Sequence, residues 1–257
     1  MQNPCVYGVG GVVSADVAVP EHEREHAFYA SILTTGDTPL WRESLTNNEG
    51  TPVIGLGERT LETDALPLQW MPHIQVADVA ASVDRASELG GSILIHGKTE
   101  AGQSQWAVLV DPAGAAFGVV PVVSGGPDAA ALSQHQGRIA GLTLTVPDAL
   151  ASRDFYEHVV GWRATTVEPG EADAVRVEMQ SAEGTVAADL RQRRGAQQGL
   201  PPVWLIHLPV GDLAESLRRV VGGGGAIVEK TTHYAVIQDP VGVALALQGG
   251  EPTFGPS

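Results

Sequence analysis

The chain has a single cysteine, Cys5, in 257 residues, so no disulfide can form within it. That suits a reducing compartment, and a cytoplasmic location is the expectation. Basic residues are scarce: 15 Lys and Arg stand against 30 Asp and Glu, for a formal net charge of −15. A surface this acidic repels phosphate backbones and anionic lipid heads, so neither nucleic acid nor membrane is an expected partner. No apolar run approaches the roughly 20 residues that span a bilayer. The opening MQNPCVYGVGG lacks the basic-then-apolar order of a signal peptide. Aromatic residues are few, at 5%, so each tryptophan is worth weighing singly. Hydrophobic residues make up 43%, enough for a true core.

The chain repeats itself. Ala15-Asp-Val-Ala-Val-Pro-Glu21, leading to Phe28-Tyr29, matches Leu142-Thr-Leu-Thr-Val-Pro-Asp148, leading to Phe155-Tyr156. Trp70-Met-Pro-His-Ile-Gln-Val-Ala-Asp78 matches Trp204-Leu-Ile-His-Leu-Pro-Val-Gly-Asp212, and Ala107-Val-Leu-Val-Asp-Pro-Ala-Gly114 matches Ala235-Val-Ile-Gln-Asp-Pro-Val-Gly242. The offsets are 127, 134 and 128 residues, too constant for chance. The repeat defines two halves, 1–122 and 138–257, joined by a small, polar linker at 123–137. Each half divides again. A short alternating strand ends in an acidic residue suited to a helix N-terminus, an amphipathic helix follows, and glycines such as Gly90-Gly91 or Gly222 to Gly225 stop it. Further strands lie around the Asp-Pro-x-Gly turns, giving the order β-α-β-β-β four times over.

That order, the Asp-Pro-x-Gly turn before the last strand, and Phe-Tyr on the first helix of each half resemble the vicinal oxygen chelate superfamily of glyoxalases, bleomycin-resistance proteins and extradiol dioxygenases. The resemblance covers nearly the whole chain and implies an α+β fold. Four βαβββ modules would pair into two lobes, each with a cup-shaped sheet that encloses a small molecule. Metal-using members place a His, Gln or Glu early in a module's first strand and a Glu in its last. The aligned first positions here are Ser14, Met71, Gly141 and Leu205. The last-strand positions are Gly118 and Ala246, with no ligand near Ile54 or Ala188. None of these binds a divalent ion well, so no metal and no other cofactor is expected.

Two residues further along each first strand, on the same face, stand Asp16, His73, Thr143 and His207. Asp16 and His73 are expected to act as a general acid–base pair, with His207, beside Thr143, as the second candidate. Trp70, Trp106 and Trp204, with Met71, can wall an aromatic ligand, although plain packing is the commoner role for each tryptophan taken singly; Trp162 reads as core. Glu178 is a further ligand-binding candidate. His22-Glu-Arg-Glu-His26 has the zinc-protease spacing, but its helix carries the outward-packed Phe28-Tyr29. Both histidines then lie on a solvated face with Glu21, Glu23 and Glu25. Arg191-Gln-Arg-Arg194 is a basic cluster that is either a solvated loop or a contact for an anionic ligand at a cup mouth.

Two readings remain. In the first, the protein works without a metal on a largely apolar, ring-containing metabolite. It either transforms it, as a lyase- or isomerase-type enzyme, or sequesters it as antibiotic-resistance proteins do. In the second, it is a metal-dependent lyase or dioxygenase with relocated ligands, His73 or His207 with Glu178 or Asp16. The partner expected is a small molecule, and the protein itself a monomer or homodimer.

Overall fold

The computed structural model describes residues 8–61, 63–122, 137–169, 175–193 and 199–249. The first half contains β1 (Val12–Val19), α1 (His22–Leu33), β2 (Ile54–Glu58), β3 (Met71–Val76), α2 (Val79–Glu88), β4 (Ser92–Lys98), β5 (Ser104–Val110) and β6 (Ala116–Pro121). The second contains β7 (Gly141–Val146), α3 (Ala149–Val160), β8 (Arg163–Pro169), β9 (Val175–Gln180), β10 (Val186–Gln192), β11 (Trp204–Val210), α4 (Leu213–Gly222), β12 (Ala226–Lys230), β13 (Tyr234–Gln238) and β14 (Ala244–Gly249). The expected linker lies outside the described residues except for Gly137, which packs against Trp41.

Each half forms its own sheet. The first runs β2-β1-β3-β6-β5-β4 and the second β12-β13-β14-β11-β7-β10-β9-β8. In both, the first strands of the two modules lie antiparallel at the centre: Ala15 faces Pro72, and Leu142 faces Ile206. The fold class is therefore α+β with two cup-bearing lobes. The first module departs from the fourfold β-α-β-β-β expectation. Between α1 and β2 the chain makes no named strand, only an isolated bridge from Trp41 to Asn47, so this sheet has six strands against eight.

Helix boundaries are set by the residues that precede them. The Asp78, Asp148 and Asp212 carboxylates accept from backbone N–H groups of α2, α3 and α4, satisfying donors the helix leaves open. Glu21, before α1, makes no such bond and pairs with Arg24 instead. Gly161 closes α3 in the left-handed region, at φ 76°, which costs glycine little.

One continuous core joins the halves, and the tyrosines of the repeated Phe-Tyr pairs lock it. Tyr29 donates to Asp239 at 2.8 Å, and Tyr156 donates to Asp111 at 3.1 Å. Each tyrosine thus reaches into the Asp-Pro-x-Gly turn of the other half. The turn aspartates use Oδ1 to hold their own loops, Asp111 accepting from the N–H groups of residues 113 to 115 and Asp239 from those of 241 and 243. Oδ2 is left for the tyrosine. Trp41 donates to the Pro209 carbonyl and Ser216 to that of Ile32, adding further ties between the halves. Among the described residues no helix is long and apolar enough to cross a membrane.

Candidate functional site

The first sheet curls around a cavity of about 560 Å³, within the range of roughly 300–1,000 Å³ usual for small-molecule sites. Its walls are mainly apolar: Leu56, Leu66, Met71, Ile95, Trp106 and Val108. Asp16, Glu58, Thr63 and His73 supply the polar groups. Asp16 and His73 come from the antiparallel central strands β1 and β3, one step out of direct opposition, since Asp16 faces Met71 and Ser14 faces His73. The diagonal brings His73 Nδ1 to 3.5 Å from Asp16 Oδ2, and Ser14 Oγ lies 3.1 Å from the same nitrogen. Burial lowers the His73 pKa below the usual imidazole value, and the Asp16 charge opposes that shift without cancelling it. The imidazole is therefore neutral at pH 7.

Trp106 is the one tryptophan of the three candidates that meets the cavity. It is 42% exposed and lies opposite Gly97 on β4, where any Cβ would overlap the ring. The missing side chain gives the indole a flat bed and leaves its other side to the cavity. Trp70 and Trp204 are not ligand walls. Both are fully buried in the core, where Trp70 donates to Tyr29 and Trp204 packs edge-on against Tyr156 and Trp162. The strand that presents Met71 to the cup begins just after Trp70, and alternation sends the tryptophan to the opposite face.

The second cup has different contents. His207 and Thr143 occupy the diagonal, with Thr143 Oγ1 2.9 Å from His207 Nε2, and both are buried. Burial, with the Arg191 charge adding to it, lowers His207 to about 4. Beside them Asp189 is gripped by Arg176 and Arg191 at 2.8 and 3.2 Å. Arg191 thus belongs to an ion-pair cluster in which the carboxylate is buried and the guanidiniums are partly exposed. Arg193 donates to the Leu200 carbonyl, and Arg194 lies outside the described residues. Glu178 turns aside to accept from Thr165 at 3.1 Å. Leu200, Val203, Leu205, Val236 and Ala244 form an apolar cluster of their own.

The α1 face differs from the expected one. Glu25 is fully buried beside Asp239, and its pKa rises to about 7, first through burial and then through the neighbouring Asp239 charge. His22 donates to the Leu56 carbonyl, 3.0 Å away. The two histidine rings sit 6.1 Å apart and are only partly buried.

The fit of a metal can be judged from strand register. Gly118 and Ala246 lie opposite His73 and His207, and the same step on β2 and β10 reaches Gly55 and Asp189. The first cup therefore offers Ser14, Gly55, Met71 and Gly118 at these positions. The second offers Gly141, Asp189, Leu205 and Ala246. Asp189, one residue beyond the Ala188 that the sequence suggested, is a carboxylate, but two guanidiniums already hold it. Neither set suits a divalent ion. Among the described residues no three His, Cys, Asp or Glu side chains gather as a metal site.

Sequence reasoning missed Ser14 as a partner of His73 and Asp189 as the centre of an ion-pair cluster. Ser14 sits directly opposite His73 in the antiparallel register, a signal that counting from the strand ends would have given.

Comparison with known proteins agrees with this geometry. Residues 138–247 match the Glyoxalase/Bleomycin resistance protein/Dioxygenase superfamily, and residues 13–120 match the Glyoxalase-like domain. Anthracycline biosynthesis protein DnrV of Streptomyces peucetius is 28% identical over 163 residues, covering 63% of this chain and 57% of that protein. Anthracycline biosynthesis protein DauV of Streptomyces sp. strain C5 is 28% identical over 130 residues, 43% of this chain and 46% of that protein. The chain spans about half the length of the curated relatives it matches. Among solved structures, 2,2',3-trihydroxybiphenyl 1,2-dioxygenase from Sphingomonas wittichii superposes with a TM-score of 0.56 at 15% identity, covering 95% of this chain and 91% of that one. At that identity the likeness concerns the fold alone. With both halves matched and both cups built from paired modules, the chain belongs to the glyoxalase/bleomycin resistance protein/dioxygenase superfamily, the vicinal oxygen chelate proteins.

Proposed function

We propose that the protein binds a small, largely apolar, ring-containing metabolite in its first cup and transforms it without a metal ion, by acid–base chemistry at Asp16 and His73. The carrying observation is the convergence of these two side chains, 3.5 Å apart, on the floor of an apolar cavity of about 560 Å³. A neutral imidazole with a carboxylate at its back is equipped to take and return a proton, and apolar walls strengthen both electrostatic partners. Isomerisation, cyclisation, ring opening and hydration all fall within that reach. Trp106 supplies a flat wall for a ring. The DnrV and DauV names, which place those relatives in anthracycline biosynthesis, favour a ring metabolite as the substrate.

A sequestering role is the second reading. It is favoured by the apolar lining and requires no titrating pair. The proposed working state is a monomer or homodimer in the cytoplasm, with a small molecule as the sole partner class. The test is to screen neutral polycyclic ketones and phenols by mass spectrometry for turnover, with wild type and His73→Ala compared. Turnover that survives in His73→Ala rejects the acid–base assignment; binding without turnover of any compound favours sequestration.

A further inference from the structure

The Asp16–His73 pair fixes more than the presence of a base. A carboxylate oxygen only accepts hydrogen bonds, so the His73 Nδ1 that faces Asp16 carries the proton. Ser14 Oγ lies 3.1 Å from the same nitrogen, and its hydroxyl can accept from that N–H as readily as donate, so the carboxylate decides the tautomer. The lone pair is then on Nε2. That edge of the ring lies over Gly118, where a Cβ would stand 3.1 Å from Nε2 and would overlap Cδ2. Gly55 does the same for Asp16, for a Cβ there would overlap Oδ1. Two glycines on the flanking strands thus seat the two polar side chains, and both line the cavity. One of them, Gly118, occupies the strand position at which the family resemblance implies a metal-binding Glu. Where a carboxylate would stand, an imidazole edge lies on bare backbone instead.

We infer that His73 Nε2 is the proton-accepting atom of the first cup, that Asp16 is the positioning residue holding the Nδ1–H tautomer, and that the substrate class is a neutral, planar ring ketone with an acidic C–H. This rests on the acid–base function proposed for the same cup. Neutral follows from Asp16 and Glu58, which face a cavity that holds no Lys or Arg among its described lining, in a chain of net charge −15. Planar follows from the Trp106 ring bedded on Gly97. In the step itself the C–H bond breaks and its proton passes to Nε2. The electron pair remains on the substrate as an enolate, shared with the carbonyl oxygen. Asp16 balances the imidazolium. Return of the same proton to the α-carbon regenerates the ketone, and where the enolate is conjugated with a ring double bond its return to the γ-carbon yields an isomer; either way the imidazole is neutral again and no oxidant, reductant or co-reactant is consumed.

The experiment pairs two readouts on the full chain. Long-range proton–nitrogen correlation on histidine-labelled protein at pH 7.5 reports the His73 tautomer. Proton–deuterium exchange at the α-carbons of 2-tetralone in heavy water reports the chemistry, with 2-tetralone binding followed separately through Trp106 fluorescence against a Trp106→Phe control. The expected result is Nδ1–H with an unprotonated Nε2 in wild type and in Ser14→Ala, and an Nε2–H population in Asp16→Asn, whose amide can donate to Nδ1. Exchange by wild type should exceed that of His73→Ala, or of His73→Gln if the alanine variant does not fold, by at least about tenfold. An Nε2–H tautomer in wild type overturns the assignment of the accepting atom while leaving acid–base chemistry at the pair intact. Failure of 2-tetralone to bind in the first cup overturns the substrate class. Binding of 2-tetralone with exchange no faster than in His73→Ala rejects the acid–base function beneath it.

Discussion

Replacing Glu25 by Gln should stabilise the protein at pH 8 and do little at pH 4.5. Glu25 is fully buried, and its carboxyl is held at about 7 against an ordinary value of 4.5. A raised carboxyl pKa means that the folded state binds the proton more tightly than the unfolded chain. Stability from this group is therefore present below pH 4.5 and is lost as pH rises through 7. The difference of about 2.5 pH units corresponds to on the order of 3 kcal/mol at about 1.4 kcal/mol per unit. Glutamine keeps the shape and removes the ionisation. Urea unfolding followed by circular dichroism at pH 4.5, 6 and 8 gives the difference between variant and wild type at each pH. It should grow in favour of the variant across the series, toward about 3 kcal/mol. A difference that stays flat with pH, or that turns against glutamine as pH rises, would show that Glu25 ionises freely and that its burial has been misjudged.

His207 carries the opposite sign. Its folded pKa is lowered to about 4, so its contribution is present above about 6.5 and is lost as pH falls through 4, and His207→Asn should flatten the acid limb of a pH–stability curve. Tyr29→Phe and Tyr156→Phe should each cost about 1–3 kcal/mol in urea unfolding, because each strands a buried turn aspartate; costs near zero would show that the lock between the halves is decorative. Asp189→Ala should destabilise by about 1 kcal/mol, since it removes the carboxylate shared by two partly exposed guanidiniums that water can still solvate, and a stabilising result in thermal melts would sink that view of the second cup. Protein purified without chelator should hold less than about a tenth of an equivalent of transition metal by elemental analysis, given the poor ligand sets of both cups; a stoichiometric ion bound inside a cup would revive the relocated-ligand reading.

Much of the fold can be read from the sequence because the repeats mark equivalent places. Asp78, Asp148 and Asp212 announce their helices, and Asp111 and Asp239 announce their turns. The period of two along β1 and β3 puts Asp16 and His73 on one face. Other features depend on partners distant in the chain. Glu25 lies among polar neighbours in sequence, yet α1 buries it against Asp239. Trp70 stands one residue before a cup-facing methionine, and strand alternation carries it into the core. Neither Gly97 nor Gly118 signals by itself that it seats a ring; only the strand register places them opposite Trp106 and His73. The shortfall of strands in the first module is hidden in sequence by a stretch of ordinary composition between Thr34 and Val53.

The bond from Tyr29 to Asp239 also has a consequence for biogenesis. Its two ends are 210 residues apart, so α1 emerges from the ribosome long before its partner turn exists. At roughly 5–20 residues per second that gap lasts about 10–40 s. During it the nascent first half carries a buried-type glutamate and an unsatisfied tyrosine with nothing to dock on, and Asp111 likewise waits for Tyr156. Closure of the first half is therefore tied to synthesis of the second half as far as Asp239, and a ribosome stalled between the two cups would hold out an open apolar face that ribosome-bound chaperones are built to cover.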